Sequence, residues 1–340
     1  MSRPSRRIIP SDEVVEQLQK RRSSGTPLRA MFSSYLGGVI TDPALMALPI
    51  DDHLVHRGHG VFDTCTLAEG RLYRLGIHLD RLLRSASLAR IEHDWTKDDL
   101  IEMVIDTASA SGLRNGSVRY WLSPGPGGFS FSPLECEEPC FYCVIFDSGH
   151  LIVGEVDLTR DGFNEATVTD TPMKPELLAT IKSNNYLLNV LTHMEAVDRG
   201  GMFGILVKPD GFLAEACVLN TTFVTADGDL VTPPFVGILS GTTVRRVLEL
   251  AESHLVPEGL VRSVSQEPVR ADDRRGKGSR EMFLSGGDTH IFPATSWDGV
   301  AIGDGKVGPV ATRLLELLES ELAAGPAAGE QRDFIEVPYP

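Results

Sequence analysis

No hydrophobic period lasts long in this chain, and that limits its fold more than any other feature. Short β-rich runs, each closed by a turn signal, alternate with a few amphipathic stripes of helical period. MFSSYLGGVI and GVFDTCTLAEGRLYRL read as strands, the second a hairpin turning at Glu69-Gly70. IHLDRLLRSASLARI follows, with Leu79, Leu82, Leu83 and Ala86 on one helical stripe, and a second helix is expected over about 97–111. SVRYWLS and PCFYCVIFD are strands flanking a glycine-rich loop. DSGHLIVGEV, 147–156, reads as a connector between two domains. Beyond it, a short strand, EATVTD, precedes a helix just after Lys182, with Leu187, Val190, Leu191, Met194 and Val197 recurring at helical spacing. A β-rich stretch turns at Pro209-Asp210-Gly211 and Asp227-Gly228-Asp229. The helix TVRRVLELAESHL carries Val244, Val247, Leu248 and Ala251 on its stripe. A polar loop over 272–281, the strand EMFLSGG and a helix over 308–324 complete the pattern. Such alternation in 340 residues predicts an α/β (α+β) protein of one large or two modest domains.

Charge narrows the partners. The formal net charge of −15 argues against nucleic acid and anionic membrane surfaces, while leaving room for an anionic substrate in a local cationic site. No apolar run approaches the ~20 residues of a membrane span, and MSRPSRRIIPSDEV lacks the apolar core of a secretory signal, so a cytoplasmic protein is expected. Five cysteines at irregular spacing make no disulfide framework. CEEPCFYC offers three sulfurs at strand-like spacing with no histidine nearby to close a tetrahedron, so no metal is expected and buried, inert cysteines are.

Several residues stand out against their surroundings. Lys182, in ATIKSNNYLLNVL, lies where a strand-like run meets a helix; such a lysine becomes a nucleophile and base only where burial or a cationic neighbour lowers its pKa, and is otherwise a surface group. Glu215 interrupts an apolar strand between Ala214 and Ala216, a costly place for an unpaired carboxylate. Thr242 and Thr243 follow ILSG and open a helix, which serves equally as an anion site or as ordinary capping. The loop SGGDTH, 285–290, has similar freedom to present backbone N–H groups. Arg81 lies off the apolar stripe of its helix, the usual place of a solvated or ion-paired surface group, whereas Arg119 sits inside a strand between Val118 and Tyr120, either as an edge residue or as a group whose fork takes a carboxylate. GPGG, 125–128, lacks the spacing of a dinucleotide fingerprint.

Singly these signals are weak, but in order they form a pattern. HRGHGVFDT, HLDRLLRSA, IKSNN, LAEACVLNTTF and TPPFVGILSGTTVRRV, with GDGKVGPVATRLL near the end, resemble the fold-type IV pyridoxal-phosphate transaminases over about residues 33–320. The resemblance implies a small N-terminal α/β domain over 1–146, a larger pseudo-barrel domain over 157–340, and pyridoxal 5'-phosphate between them, in a homodimer. It implies that Lys182 is the Schiff-base lysine, that Glu215 pairs with the pyridine nitrogen, and that Arg81, Gly241, Thr242 and Thr243 bind the phosphate. Tyr186 matches a tyrosine near the cofactor's phenolic oxygen. Asp288 falls where the family often has threonine, and since a carboxylate repels a phosphate dianion, only the backbone of Gly287 and its neighbours is expected to serve there.

The substrate side departs from the bacterial D-amino-acid pattern. Phe129 and Phe131 occupy the positions of a carboxylate-binding arginine and histidine; Arg119 replaces a family tyrosine and is expected to take the carboxylate, with Phe62 nearby. His53 stands where many members have arginine. SSYLGGVITDPALMALPIDDHLVHRGHGVFDT is similar to plant-type D-amino-acid transaminases, some of which also have aminodeoxychorismate lyase activity. The implied activity is ping-pong exchange of an amino group between a D-amino acid, such as D-alanine or a D-glutamate-like acid, and a 2-oxo acid. The alternatives are an aminodeoxychorismate lyase, a branched-chain L-amino-acid or (R)-amine transaminase, and a catalytically silent pyridoxal-phosphate-binding protein.

Overall fold

The computed structural model describes residues 8–22, 26–148, 152–153, 156–275, 278–286, 289–325 and 333–340. After the exposed helix α1 (Ser11–Arg22) come β1 (Leu28–Ser33), β2 (Gly38–Ile40), the short α2 (His53–His56), β3 (Val61–Ala68), β4 (Arg71–Tyr73), α3 (Leu75–Leu88), α4 (Lys97–Ser111), β5 (Gly116–Ser123) and β6 (Cys140–Phe146). The hairpin between β3 and β4 turns as its residues dictate: Glu69 and Gly70 both take positive φ, 51° and 78°, the geometry of a primed turn matched to strand twist. Strict alternation along β3 sends Val61, Asp63, Cys65 and Leu67 inward and leaves Phe62, Thr64 and Thr66 half-buried on the other face. In β5, Val118, Tyr120 and Leu122 are buried while Arg119 is exposed, and the register pairs Thr64 with Arg119. Leu79, Leu82 and Ala86 of α3 and Leu100, Val104 and Ala108 of α4 join Val118, Tyr120, Phe141 and Ile145 in one core.

The connector expected over 147–156 lies partly outside the described residues; within it, β7 (Ile152–Val153) pairs with β8 (Val156–Asp157). Then follow β9 (Phe163–Glu165), β10 (Thr167–Val168), α5 (Glu176–Thr180), α6 (Leu187–Asp198), β11 (Ile205–Val207), β12 (Leu213–Ala216), β13 (Leu219–Thr225) and β14 (Asp229–Thr232). α7 (Thr242–Leu250) runs on through a π-helical turn at Ala251–Leu255, and is followed by β15 (Ser263–Gln266), α8 (Ala271–Arg274), β16 (Ser279–Gly286), β17 (His290–Trp297), β18 (Val300–Ala301), α9 (Pro309–Ala324) and β19 (Phe334–Glu336). The sheet β15-β14-β13-β16-β17-β18, joined by β9, and the smaller sheet β10-β11-β12 share a cluster including Ile205, Leu213, Phe223, Met282 and Trp297. On the other side of the larger sheet, α7 and α9 pack Val247, Leu250, Leu314 and Leu318 against Phe283 and Ile291. β19 then crosses back to pair with β4, giving the first sheet the order β19-β4-β3-β5-β6-β1-β2.

Three local readings change. The helix expected just after Lys182 starts at Leu187, and the intervening residues form a turn against β3. The polar 272–281 segment contains most of α8 and the start of β16, although 276–277 lie outside the described residues. The apolar stripe of α6 faces outward: Leu187, Val190, Met194 and Val197 are 70, 51, 55 and 51% exposed, while Thr192 and Ala196 are its buried residues. Cys65, Cys140, Cys143 and Cys217 are buried and none of the five cysteines forms a disulfide. Among the described residues no helix is long and apolar enough to cross a membrane.

Candidate active site

A cavity of about 420 Å³ opens between the first sheet and the second. Lys182 reaches it from an extended segment bonded to β3, where Phe62 N–H donates to Lys182 O (2.9 Å) and Asn184 N–H to Gly60 O (3.0 Å). Its backbone N–H is 3.3 Å from Ser85 Oγ of α3. Nζ then stands 4.4 Å from the centre of the Phe62 ring and 3.4 Å from Tyr186 Oη. Burial disfavours its ammonium, and Arg81 adds like-charge repulsion, so its pKa falls to about 8; Asp63 and Glu215 pull the other way. Tyr186, edge-on to Phe62 at 5.1 Å, is pushed in the opposite direction, its phenol held neutral by burial and by Glu215.

One end of the cavity is built for an anion. Arg81 of α3 extends there under the control of Asp63, whose fully buried carboxylate accepts Arg81 Nε and Nη2, both at 2.7 Å, and His78 Nδ1 at 3.0 Å. Desolvation opposes that carboxylate's charge, but Arg81 and His78 together hold its pKa well below the usual range. Facing Arg81 is the first turn of α7, which has no side-chain cap; Gly241, Thr242 and Thr243 line the cavity there. Gly241 is needed by close approach, since a Cβ there meets Asn220 Oδ1 at 2.1 Å. Asn220 in turn donates to Leu239 O (3.0 Å).

The opposite side holds a second cation. Arg119 is fixed by a bond from Nε to Thr64 Oγ1 (2.9 Å), and its guanidinium carbon lies 5.7 Å from the Phe62 ring centre and 5.6 Å from that of Phe146. Among the described residues neither terminal nitrogen has a hydrogen-bond partner, which suits them to a ligand. Thr289, with φ 72°, bonds Thr66 Oγ1 at 3.0 Å along the same wall, beside His290.

Glu215 is placed differently. It lines not this cavity but a smaller apolar one behind its wall, facing Lys174, and its Oε2 accepts Leu239 N–H at 3.2 Å. Burial raises its pKa to about 7, against the pull of that N–H, Lys174 and Lys182.

The cavity therefore brings together Lys182, Tyr186, Arg81, Gly241, Thr242, Thr243, Arg119 and Phe62. Two residues expected at the substrate side are elsewhere. His53 is buried in a histidine cluster, its Nδ1 3.3 Å from His59 Nδ1, because Asp52 caps α2 through Leu54 N–H and is itself fixed by Ser123 and Tyr142. Phe129 is 62% exposed on a loop that Arg57 clamps by donating to Phe129 O (2.5 Å) and Ser130 O (3.2 Å). Neither lines the cavity of the protomer. Gly287 and Asp288 lie outside the described residues; Ser285, Gly286, Thr289 and His290, on either side of them, line the cavity.

Sequence reasoning missed Asp63, His78, Asn220 and Lys174. Asp63 carried the same signal as Glu215, an acid inside an apolar strand that needs a partner, and His78 stands one helical turn before Arg81. Asn220 and Lys174 carried no such mark.

Comparisons with known proteins identify the family. The family model described as amino-transferase class IV matches residues 60–297. The chain is 44% identical over 321 residues to the chloroplastic D-amino-acid transaminase of Arabidopsis thaliana, covering 94% of this chain and 83% of that one. It is 30% identical over 284 residues to a putative branched-chain-amino-acid aminotransferase of Methanocaldococcus jannaschii, covering 83% and 93%. The T.th. branched-chain amino acid aminotransferase, solved with pyridoxamine 5'-phosphate, superposes with a TM-score of 0.80 at 21% identity, over 92% of this chain and all of that one. The fold is accordingly that of the fold-type IV transaminases, and the chain belongs to the class IV aminotransferases.

Proposed function

We propose that this aminotransferase uses pyridoxal 5'-phosphate to move an amino group between a D-amino acid and a 2-oxo acid. One observation carries the reading: a lysine of lowered pKa stands in a single cavity between an anion-holding end, Arg81 with the α7 first turn, and a separately anchored arginine, Arg119. A ligand with a phosphate, a reactive carbonyl and a ring nitrogen fits that donor set. Arg81, Gly241, Thr242 and Thr243 would hold the phosphate and Lys182 would be the attachment point. Glu215, which lies behind the cavity wall, is the carboxylate that would pair with the ring nitrogen, and Gly287 and Asp288, expected near the phosphate, lie outside the described residues. The cofactor supplies an electrophilic carbonyl and an electron-withdrawing ring.

The chain's own groups do the rest. With a pKa near 8, Lys182 Nζ has a substantial neutral fraction at mildly alkaline pH, so it can act as a nucleophile and then accept and return a proton at the substrate carbon. Tyr186 Oη, 3.4 Å away, orients that amine. Arg119 takes the substrate α-carboxylate with its terminal nitrogens, its guanidinium lying 5.7 Å from the Phe62 ring centre and 5.6 Å from that of Phe146. Preference for the D-enantiomer is supported by the 44% identity to a D-amino-acid transaminase.

Residues up to 146 and from 157 form the two domains flanking the cofactor, with 333–340 returning to the first. A second copy of the chain covers the outward apolar stripe of α6 in a homodimer. Residence in the cytoplasm is part of the same proposal, and fractionation tests it against the organelle named for the Arabidopsis relative.

Titrating the purified holoenzyme with D- and L-alanine, D- and L-glutamate and an (R)-amine, while following cofactor absorbance, tests the activity. A change with the D-acids alone supports the proposal. A change with L-acids or the amine alone supports the other transaminases, and no change in any arm leaves a silent binding protein. Release of aminobenzoate from aminodeoxychorismate without an amino acceptor marks a lyase.

A further inference from the structure

We infer that Lys174 is a positioning residue that favours the ionised form of Glu215 for pairing with the cofactor's ring nitrogen, acting across the small apolar cavity that the two side chains line. The inference deepens the proposed function and rests on it for the ring nitrogen alone.

Among the described residues lining that cavity, Lys174 and Glu215 are the only charged ones; the walls are apolar or neutral, with Leu188, Leu206 and Ile238 prominent. A cation and an anion lining one apolar cavity attract each other more than the same pair on an open surface, because the walls exclude part of the solvent. Lys174 is fixed there by the Tyr186 ring, whose centre is 4.6 Å from its Nζ. The same ring is 5.8 Å from Lys182 Nζ, so Tyr186 stands between two amines, one in each cavity. Burial lowers the pKa of Lys174 while Glu215 raises it, the reciprocal of the pull that Lys174 exerts on Glu215.

The titratable groups that act on Glu215 or feel its charge are Lys174, Lys182, Tyr186 and Cys217; Tyr186 and Cys217 are both held neutral by burial. Glu176 lies against Gly237 at the cavity rim but is exposed. The cations that oppose burial at Glu215 are therefore Lys174 and Lys182. Lys182 is committed to chemistry and ceases to be an ammonium when it attacks a carbonyl. Lys174 remains, and it biases the proton shared by Glu215 and a ring nitrogen toward the nitrogen.

Lys174→Met and Lys174→Arg test this with two readouts besides turnover. In apoprotein labelled with 13C at the glutamate side-chain carboxyl, and assigned with Glu215→Gln, the Glu215 midpoint is expected to rise by about one pH unit or more in K174M and to return toward wild type in K174R. With 15N-labelled pyridoxal phosphate bound, the ring nitrogen resonance in K174M is expected to move from the pyridinium toward the neutral pyridine position. An unmoved carboxyl midpoint in folded K174M overturns the inference, and so does an unmoved ring nitrogen. Failure of the wild-type protein to bind pyridoxal phosphate sinks the proposed function and the ring-nitrogen half with it, whereas the apoprotein midpoint still decides whether Lys174 acts on Glu215.

Discussion

Replacing Lys182 with methionine is expected to make the apoprotein more stable. The lysine's ammonium is held where burial and Arg81 disfavour it, lowering its pKa from the usual 10.5 to about 8. In the unfolded chain that penalty is absent, so below pH 8 folding carries the cost of forcing a protonated amine into the cavity. A shift of this size corresponds to roughly 3 kcal/mol at ~1.4 kcal/mol per unit. Partial exposure of the side chain reduces the expected gain for Lys182→Met to about 1–3 kcal/mol at pH 7. Between pH 8 and 10.5 the unfolded state binds more protons than the folded state, so wild-type stability rises with pH through that window. The advantage of the variant is thus full below about pH 8 and fades toward pH 10.5. Urea unfolding of both apoproteins at pH 7 and near pH 10 measures it. Equal stability at pH 7, or a gain that persists unchanged at high pH, refutes the idea that this lysine is held under electrostatic strain.

Other substitutions probe the remaining geometry. Asp63→Asn keeps shape but leaves Arg81 without its buried counter-charge, and is expected to destabilise the apoprotein by about 2–4 kcal/mol in urea unfolding. Added inorganic phosphate should recover part of that loss by neutralising the same arginine. Arg119→Ala is expected to raise the substrate KM tenfold or more, the loss of a charge-assisted contact worth ~1.5–3 kcal/mol, while cofactor affinity in equilibrium dialysis stays within about twofold. Met194→Glu, on the outward stripe of α6, should shift the mass measured by sedimentation at micromolar protein toward one chain, without altering the far-UV spectrum.

Sequence pattern made some of these features visible and hid others for physical reasons. Glu69-Gly70 was legible because a primed turn demands residues that tolerate positive φ. The strand phase around Arg119 was legible too, since period-2 alternation sets which face each side chain takes. Amphipathicity alone misled at α6: helical spacing shows that a stripe exists, not which partner covers it. Asp63 stayed hidden although its isolation in an apolar strand was plain, because the partners that settle its charge, His78 and Arg81, approach from the following helix only once it packs on the sheet. His53 and Phe129 were drawn to the substrate by position in the chain, but Asp52 and Arg57 fix them elsewhere. Lys174 had no local signal, since its importance comes from a cavity bounded by five separate stretches of the chain.

The return of β19 to the first sheet also governs the order in which the protein is completed. Val337 N–H bonds Gly70 O (3.0 Å), Ser109 Oγ bonds Pro338 O (2.5 Å), the Tyr339 hydroxyl bonds Leu113 O, and Arg114 lies over the Tyr339 ring at 5.0 Å. These contacts clasp the hairpin and the α4–β5 corner with residues made after the whole second half of the chain. During synthesis, the outer edge of β4 therefore waits as an unpaired row of N–H and C=O groups until residues 334–336 emerge. The element that is translated early is closed late, and a nascent chain halted before that point presents a sticky strand edge to its neighbours.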